Sequence, residues 1–316
     1  MIYIILLVSL VGIVFGADYL VSNSVSIARK FRVSDFVIGA AIVGVGTSMP
    51  ELIVSFIGAL QGNADVAIGN IVGSNIFNIL GILGLTAALF PISVTKFNVK
   101  FEIPVCIGVS ILLTLMVFNP LSDFGFTISR IDGLVLLLCF GLYMWYSFYR
   151  DRKQLKDAEI DIQADKTPFW KSLLAVTAGL TVLVVSCDIF VDNAVKIAKS
   201  FGVSDAFISL TLIACGTSLP ELAASIAAAL RKNTQLALGN IIGSNIFNIT
   251  WILGICSQVR PLNTSGITII DYLVMIAAAI LPFVLGLKGK IGRISGILMF
   301  SCFVAYALYL LRTQVN

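Results

Sequence analysis

The segment GTSMPELIVS at 46–55 recurs as GTSLPELAAS at 216–225, an offset of 170 residues. Each copy sets a glutamate, Glu51 or Glu221, inside a run otherwise apolar enough to cross a lipid bilayer. An unpaired carboxylate at that depth costs several kcal/mol, so its default meaning is a functional ion site. Two such sites at matching places in one chain point to a transporter assembled from repeats.

Composition identifies the solvent. Of 316 residues, 58% are hydrophobic and 12% charged, a balance found in polytopic α-helical membrane proteins and not in soluble domains of this length. Histidine is absent, which removes histidine-based zinc and haem sites and the usual catalytic triads. The six cysteines stand singly in apolar stretches and read as small hydrophobes. Nothing in the sequence requires a cofactor, and the net charge of +4 carries no nucleic-acid signal.

Apolar segments of spanning length fall near 2–22, 36–60, 66–90, 101–118 and 131–149, then near 170–192, 206–230, 236–259, 267–287 and 293–311. The expected fold is an all-α membrane protein of ten transmembrane helices. Residues 1–149 form a first five-helix repeat, 150–169 a short polar linker, and 170–316 a second five-helix repeat. The halves align without a gap from Asp18/Asp188 to Gly84/Gly254, and GNIVGSNIFNI at 69–79 matches GNIIGSNIFNI at 239–249. Five spans per half is an odd number, so the second repeat enters from the opposite side and is inverted. The first apolar run has this internal counterpart, which argues that it is a span and not a cleaved leader. Of the 21 basic residues, 16 fall on the side that holds the linker and 5 on the other. That split puts the linker in the cytoplasm and both termini outside the cell membrane.

Within each ten-residue phrase the spacing aligns polar groups on one helical face: Gly44, Thr47, Ser48, Glu51 and Ser55, and again Ala214, Thr217, Ser218, Glu221 and Ser225. Pro50 and Pro220 each lack an amide hydrogen and clash with the carbonyl four residues back, so each helix should kink there and free main-chain carbonyls. The second motif adds Ser74 and Asn78, and Ser244 and Asn248, with Asn70 and Asn240 one turn earlier. Such an all-oxygen set suits hard cations, Ca²⁺ above all. No Lys or Arg occurs in the motif-bearing segments, so the two carboxylates must be balanced by bound cations or protons.

Competing readings are structural. Gly69-x-x-x-Gly73 and Gly239-x-x-x-Gly243 read first as helix-packing patterns, and the Ser and Asn residues can serve as interhelical hydrogen bonds. Asp18 and Asp188, near predicted span ends, stay outside the site. Ser34 and Ser204 read as helix N-caps. Tyr143, Trp145, Tyr146, Tyr306 and Tyr309 read as an interfacial belt.

The paired G-T-S-x-P-E and G-N-I-x-G-S-N-I-F-N motifs resemble those of the calcium/cation antiporter superfamily, specifically its sodium/calcium exchangers. The resemblance covers nearly the whole chain, and the short linker matches the prokaryotic type without a regulatory domain. It implies a central Ca²⁺ site of Glu51 and Glu221 with the Thr47 and Thr217 carbonyls. Flanking Na⁺ sites would use the Gly44 and Ala214 carbonyls with Thr47, Thr217, Ser48, Ser218, Ser74 and Ser244, and Asn78 and Asn248 would line the middle. It further implies several Na⁺ entering against each Ca²⁺ leaving, with the first and sixth spans sliding past an eight-helix core. Potassium-dependent relatives place an Asp at the second S-N-I-F-N terminus, where this chain has Asn248.

The expected function is therefore secondary antiport of Na⁺ against Ca²⁺ in a cell membrane, with Ca²⁺/H⁺ exchange as the alternative on the same scaffold. The expected partners are Ca²⁺, Na⁺ (or H⁺) and the lipid bilayer; the oligomeric state stays open. A passive cation channel would also use intramembrane acids. An intramembrane hydrolase would need an activated nucleophile, which the absence of histidine and of paired aspartates disfavours.

Overall fold

The computed structural model describes residues 2–31, 33–118, 126–157, 167–200, 215–263 and 266–315. Helices α1 (Ile2–Phe31), α2 (Asp35–Thr47), α3 (Met49–Leu60), α4 (Ala64–Leu89), α5 (Asn98–Val117) and α6 (Arg130–Asp157) come first. They are followed by α7 (Phe169–Ser200), α8 (Leu219–Leu230), α9 (Thr234–Val259), α10 (Ile269–Gly286) and α11 (Arg293–Val315). Among the described residues, eight helices are long and apolar enough to cross a membrane, and α2 with α3 makes a ninth if the bent pair is one span. The protein is an all-α multi-pass membrane protein.

The expected kink is present. α2 and α3 meet at Ser48 with a bend of 49°, and Pro50 lies in the first turn of α3, where its missing N–H costs no helical bond. Ser218, before α8, has nearly the same backbone as Ser48 (φ −91°, ψ 9° against φ −83°, ψ 11°). Residues 206–214 of the corresponding span, and with them Ser204 and Ala214, lie outside the described residues.

Two helices form the centre. In the most apolar window of α9, 94% of residues are buried, and in that of α4, 72%; the other long helices range from 11% to 39% and turn most of their surface to lipid. Small residues allow that centre to close. A Cβ at Gly239 would lie 2.1 Å from the Phe36 carbonyl oxygen, and one at Gly243 would lie 2.4 Å from the Ala40 Cα, so α2 crosses α9 backbone to backbone. The packing reading of Gly239-x-x-x-Gly243 holds. Gly69 meets only the Ile267 side chain, and Gly73 meets nothing within 4 Å among the described residues.

Outside this centre α1 and α7 lie along each other. Gly16 and Gly179 form their crossing: a Cβ on either would press the other helix's backbone near Leu183 or Leu20, at 2.7 and 2.8 Å. Phe31 stacks edge-on against Phe169, Ser26 bonds Ser172 at 3.0 Å, and the Lys30 ammonium donates to the Thr167 carbonyl. Two short antiparallel ribbons join distant loops. β1 (Ile92–Ser93) pairs with β4 (Lys290–Ile291), and β2 (Thr127–Ile128) with β3 (Leu262–Asn263).

Several expectations change here. α1 and α7 run well past the predicted span ends, so Asp18 sits in mid-helix and not near a terminus. It forms a bidentate ion pair with Arg231, at 2.6 and 2.7 Å. α6 continues to Asp157, so its charged residues from Arg150 onward extend the helix where a linker was expected. Tyr143 is buried between helices and Tyr306 donates to Asp271, whereas Trp145 and Tyr309 are exposed as belt residues should be. Ser34 caps α2 as predicted, accepting from the Val37 amide.

Candidate ion-binding site

The two glutamates are fully buried and each is held by the other motif's serine. Ser48 Oγ donates to Glu221 Oε1 and Ser218 Oγ donates to Glu51 Oε1, both at 2.7 Å. Glu51 and Glu221 lie within electrostatic reach of each other, Thr217 stands beside Glu51, and Thr47 and Ser244 stand beside Glu221. α2, α3, α4, α8 and α9 contain no Lys or Arg. Two carboxyls thus face each other in the protein centre without a cationic side chain.

Asparagines behind the glutamates stiffen the arrangement. Asn70 Nδ2 donates to the Glu51 carbonyl and to Ser55 Oγ at 3.2 and 3.0 Å; Asn240 Nδ2 does the same for Glu221 and Ser225 at 3.1 and 2.8 Å. Each of these bonds recurs 170 residues on, so the repeated sequence produces repeated geometry.

The GSNIFN segments add a crossed brace. Asn75 Nδ2 donates to the Asn245 carbonyl at 3.2 Å and Asn245 Nδ2 to the Asn75 carbonyl at 3.0 Å. Asn78 Nδ2 then donates to Asn245 Oδ1 at 3.0 Å, and Asn248 Nδ2 to Asn75 Oδ1 at 3.1 Å. With their amide nitrogens so engaged, Asn78 and Asn248 have their oxygens left over. Both sit where the helix widens to a π-type turn, over Phe77–Leu83 and Asn248–Ile252. A third such turn, Gly39–Gly44, leads to the Gly44 carbonyl, which accepts from Ser244 Oγ at 3.2 Å and Thr47 Oγ1 at 3.4 Å. Such turns mark functional segments of helices because they displace carbonyls from the regular ladder.

Twelve buried side-chain polar atoms have no hydrogen-bond partner among the described residues, and six of them belong to this set. They are Glu51 Oε2, Glu221 Oε2, Asn78 Oδ1, Asn248 Oδ1, Ser74 Oγ and Thr217 Oγ1. All six are oxygens. A buried acceptor without a donor is costly in protein and more so in lipid, and a hard cation is the partner that oxygens of this mixture accept. Among the described residues no three of Cys, Asp and Glu come together, so any cation here is bound mostly by neutral oxygen.

The sequence-derived set is therefore brought together at Glu51, Glu221, Thr47, Thr217, Ser48, Ser218, Ser244 and Gly44, while Asn78 and Asn248 are tied to each other's half through Asn245 and Asn75. Ser74 is buried with a free oxygen, and Ala214 is outside the described residues. Sequence reasoning missed the bracing role of Asn75 and Asn245. The signal was present: S-N-I-F-N carries two asparagines three residues apart, which puts them on adjoining parts of one helical surface.

Comparison with known proteins gives the same direction. The profile of the sodium/calcium exchanger protein family matches residues 1–149 and 171–312. CaxA of Alkalimonas amylolytica is 39% identical over 96% of each chain, and the sodium/calcium exchanger MaX1 of Methanosarcina acetivorans is 29% identical over 98% of each. A solved structure of the sodium-calcium exchanger NCX_Mj, soaked with zero Na⁺ and Ca²⁺, superposes with a TM-score of 0.83 at 34% identity, covering 97% of both chains. This chain belongs to the sodium/calcium exchanger family of the calcium/cation antiporter superfamily, a family of transporters and not of enzymes.

Proposed function

We propose that the protein exchanges Na⁺ for Ca²⁺ across a cell membrane by alternating access around Glu51 and Glu221. The observation that carries this reading is the pair of buried carboxyls, each with an unpartnered oxygen and with no Lys or Arg on their helices, within a motif set that holds four further buried, unpartnered oxygens. One Ca²⁺ neutralises two carboxylates and takes neutral oxygens besides; Na⁺ ions can occupy the same oxygens when it leaves. Mutually exclusive occupancy is what couples the two fluxes. Asn at both 78 and 248 leaves only two acids in the set, which fits independence from K⁺.

The proposed scaffold is ten spans in two inverted five-helix repeats, 1–149 and 170–316, with a cytoplasmic linker and both termini outside. Hydrogen bonds recurring at the 170-residue offset support it, as do the two ribbons, each of which joins a loop of one half to a loop of the other. The α1/α7 pair supports a sliding motion. It is closely packed within itself, while a largely apolar cleft of about 380 Å³, lined by Leu10, Val14, Asp18, Phe190, Leu222 and Ile226 among others, opens between it and α8. A shift along that cleft has few interlocked side chains to release, the Asp18–Arg231 ion pair being the polar tie it must break or carry along.

Release of Ca²⁺ from proteoliposomes tests the coupling. An imposed Na⁺ gradient at fixed pH should drive it. Exchange against H⁺ is the second reading, favoured by one observation: each glutamate has one free Oε2, and two protons would fill both. Release driven only by a pH gradient would establish that reading and displace the first.

A further inference from the structure

One buried acid has no part in the ion site. Glu102 lies in the second turn of α5 and is completely buried. Its Oε1 accepts from Ser147 Oγ of α6 at 2.7 Å. Its Oε2 has no partner among the described residues, and neither does the hydroxyl of Tyr143, which lies one turn before Ser147 and faces Glu102. Among the described residues the charged group near this pocket is acidic: Asp151, one turn beyond Ser147, is itself 4% exposed. Asp35 lies near Asp151 in turn, Arg29 lies near Asp35, and the thiol of Cys106 lies near Tyr143.

The other half of the molecule supplies an internal control. Thr95 and Thr268 begin α5 and α10 with the same local bonds, which aligns Asn98 with Asp271 and Glu102 with Met275. Tyr143 of α6 likewise corresponds to Tyr306 of α11. Asp271 accepts from the Thr268 amide, the Thr268 hydroxyl and the Tyr306 hydroxyl, three donors at the helix entrance. Both oxygens of Asp271 thus have donors. Glu102 stands one turn deeper with Ser147 as its bonded donor and the Tyr143 hydroxyl beside it. A buried carboxylate with no cation near it among the described residues neutralises itself at far lower cost than it stays charged.

We propose that Glu102, enclosed by Tyr143 and Ser147, is a proton-binding site separate from the ion site and holds its proton at neutral pH. The proton on Oε2 is directed at the Tyr143 oxygen, which supplies a partner to both unpartnered atoms. Loss of that proton creates a buried charge facing Asp151. Asp151 Oδ2 accepts from the Ser34 amide at 2.7 Å, and Ser34 caps α2, the helix that ends in Gly44 and Thr47. Proton occupancy at Glu102 is therefore linked through α6 to the start of an ion-site helix, and it gives the transporter an input for pH that does not act on its cargo ligands.

Infrared spectroscopy of the protein in lipid nanodiscs, with Glu51→Gln and Glu221→Gln already in place, tests this without relying on ion exchange. The background should show a protonated-carboxyl stretch at neutral pH that disappears when Glu102→Gln is added, moves when Tyr143→Phe is added instead, and fades as pH is raised. A background spectrum without that stretch, or one that keeps it unchanged with Glu102→Gln, overturns the proposal. Should Glu102→Gln not fold, Tyr143→Phe and Ser147→Ala decide it, since a band that neither variant moves does not come from this pocket. In the otherwise native protein the exchange rate should change as pH is raised above neutral, and Glu102→Gln should retain exchange at neutral pH and lose that change; an unaltered pH profile removes the linkage to α2.

Discussion

The two copies of the site motif make the same bonds at their glutamates and different ones at their hydroxyls. Ser48 and Ser218 exchange identical 2.7 Å bonds with the opposite carboxyl. Thr47 is engaged with Asn240, whereas its counterpart Thr217 has a free oxygen among the described residues; Ser244 bonds the Gly44 carbonyl, and the residue matching Gly44 for Ser74 is Ala214, outside the described residues. Farther out the likeness fades: Asp18 pairs with Arg231, but the residue matching Arg231 in the first half is Gln61, which offers Asp188 no charge. Likeness is close at the glutamates and the serines that bond them, and falls off at the threonines and at the helix ends.

The strongest way to break the comparison is at its centre. Glu51→Gln and Glu221→Gln should each abolish Ca²⁺ binding measured by calorimetry, and abolish exchange, because each removes half of the charge that balances the ion. Binding that survives in one variant alone would show that the carboxyls are not equivalent. Next come the braces. Asn75→Ala and Asn245→Ala each leave the opposite half's ligand amide without its acceptor, and each should weaken Ca²⁺ by about 10- to 100-fold, the usual cost of losing a group that orients a ligand. Equal losses in the two variants would confirm that the crossed bonds act as one unit.

Smaller effects should separate the halves. Ser74→Ala removes an oxygen with no partner among the described residues, and Ser244→Ala removes one bonded to Gly44, so their Na⁺ dependence should differ although the residues are related by the repeat. Identical Na⁺ titrations would mean that the observed difference has no functional weight. The least effect is expected from Arg231→Gln, which restores likeness to Gln61. The ion pair is about half exposed, so thermal unfolding should report a loss of about 1 kcal/mol or less, shrinking further in high salt. A larger loss would indicate that the pair fixes the tilt of α1 against α8.

Much of this site could be read from residue order. Glu51 with Pro50, and Glu221 with Pro220, announced a broken helix carrying a carboxylate, because proline geometry and the cost of charge in lipid are local matters. Helix ends were read less well. α1 runs to Phe31 and α6 to Asp157, since polar residues at an interface extend a helix without changing its apolar core. Tyr143 was mistaken for a belt residue because a tyrosine near a span end looks alike whether it faces lipid or a neighbouring acid.

The sequence by itself determined the class of solvent, the duplication, and that the repeated motifs carry two acids among oxygen-bearing side chains, all of which depend on residue type and spacing. Only the tertiary structure decided which asparagine braces and which presents its oxygen, that each serine serves the opposite glutamate, and that Glu102 is sealed away beside Ser147 and Tyr143. These depend on groups more than a hundred residues apart, or on neighbouring helices, meeting at about 3 Å. Hydrogen bonding at that range is set by how helices cross, and crossing is set by where small residues such as Gly239 and Gly243 let backbones touch.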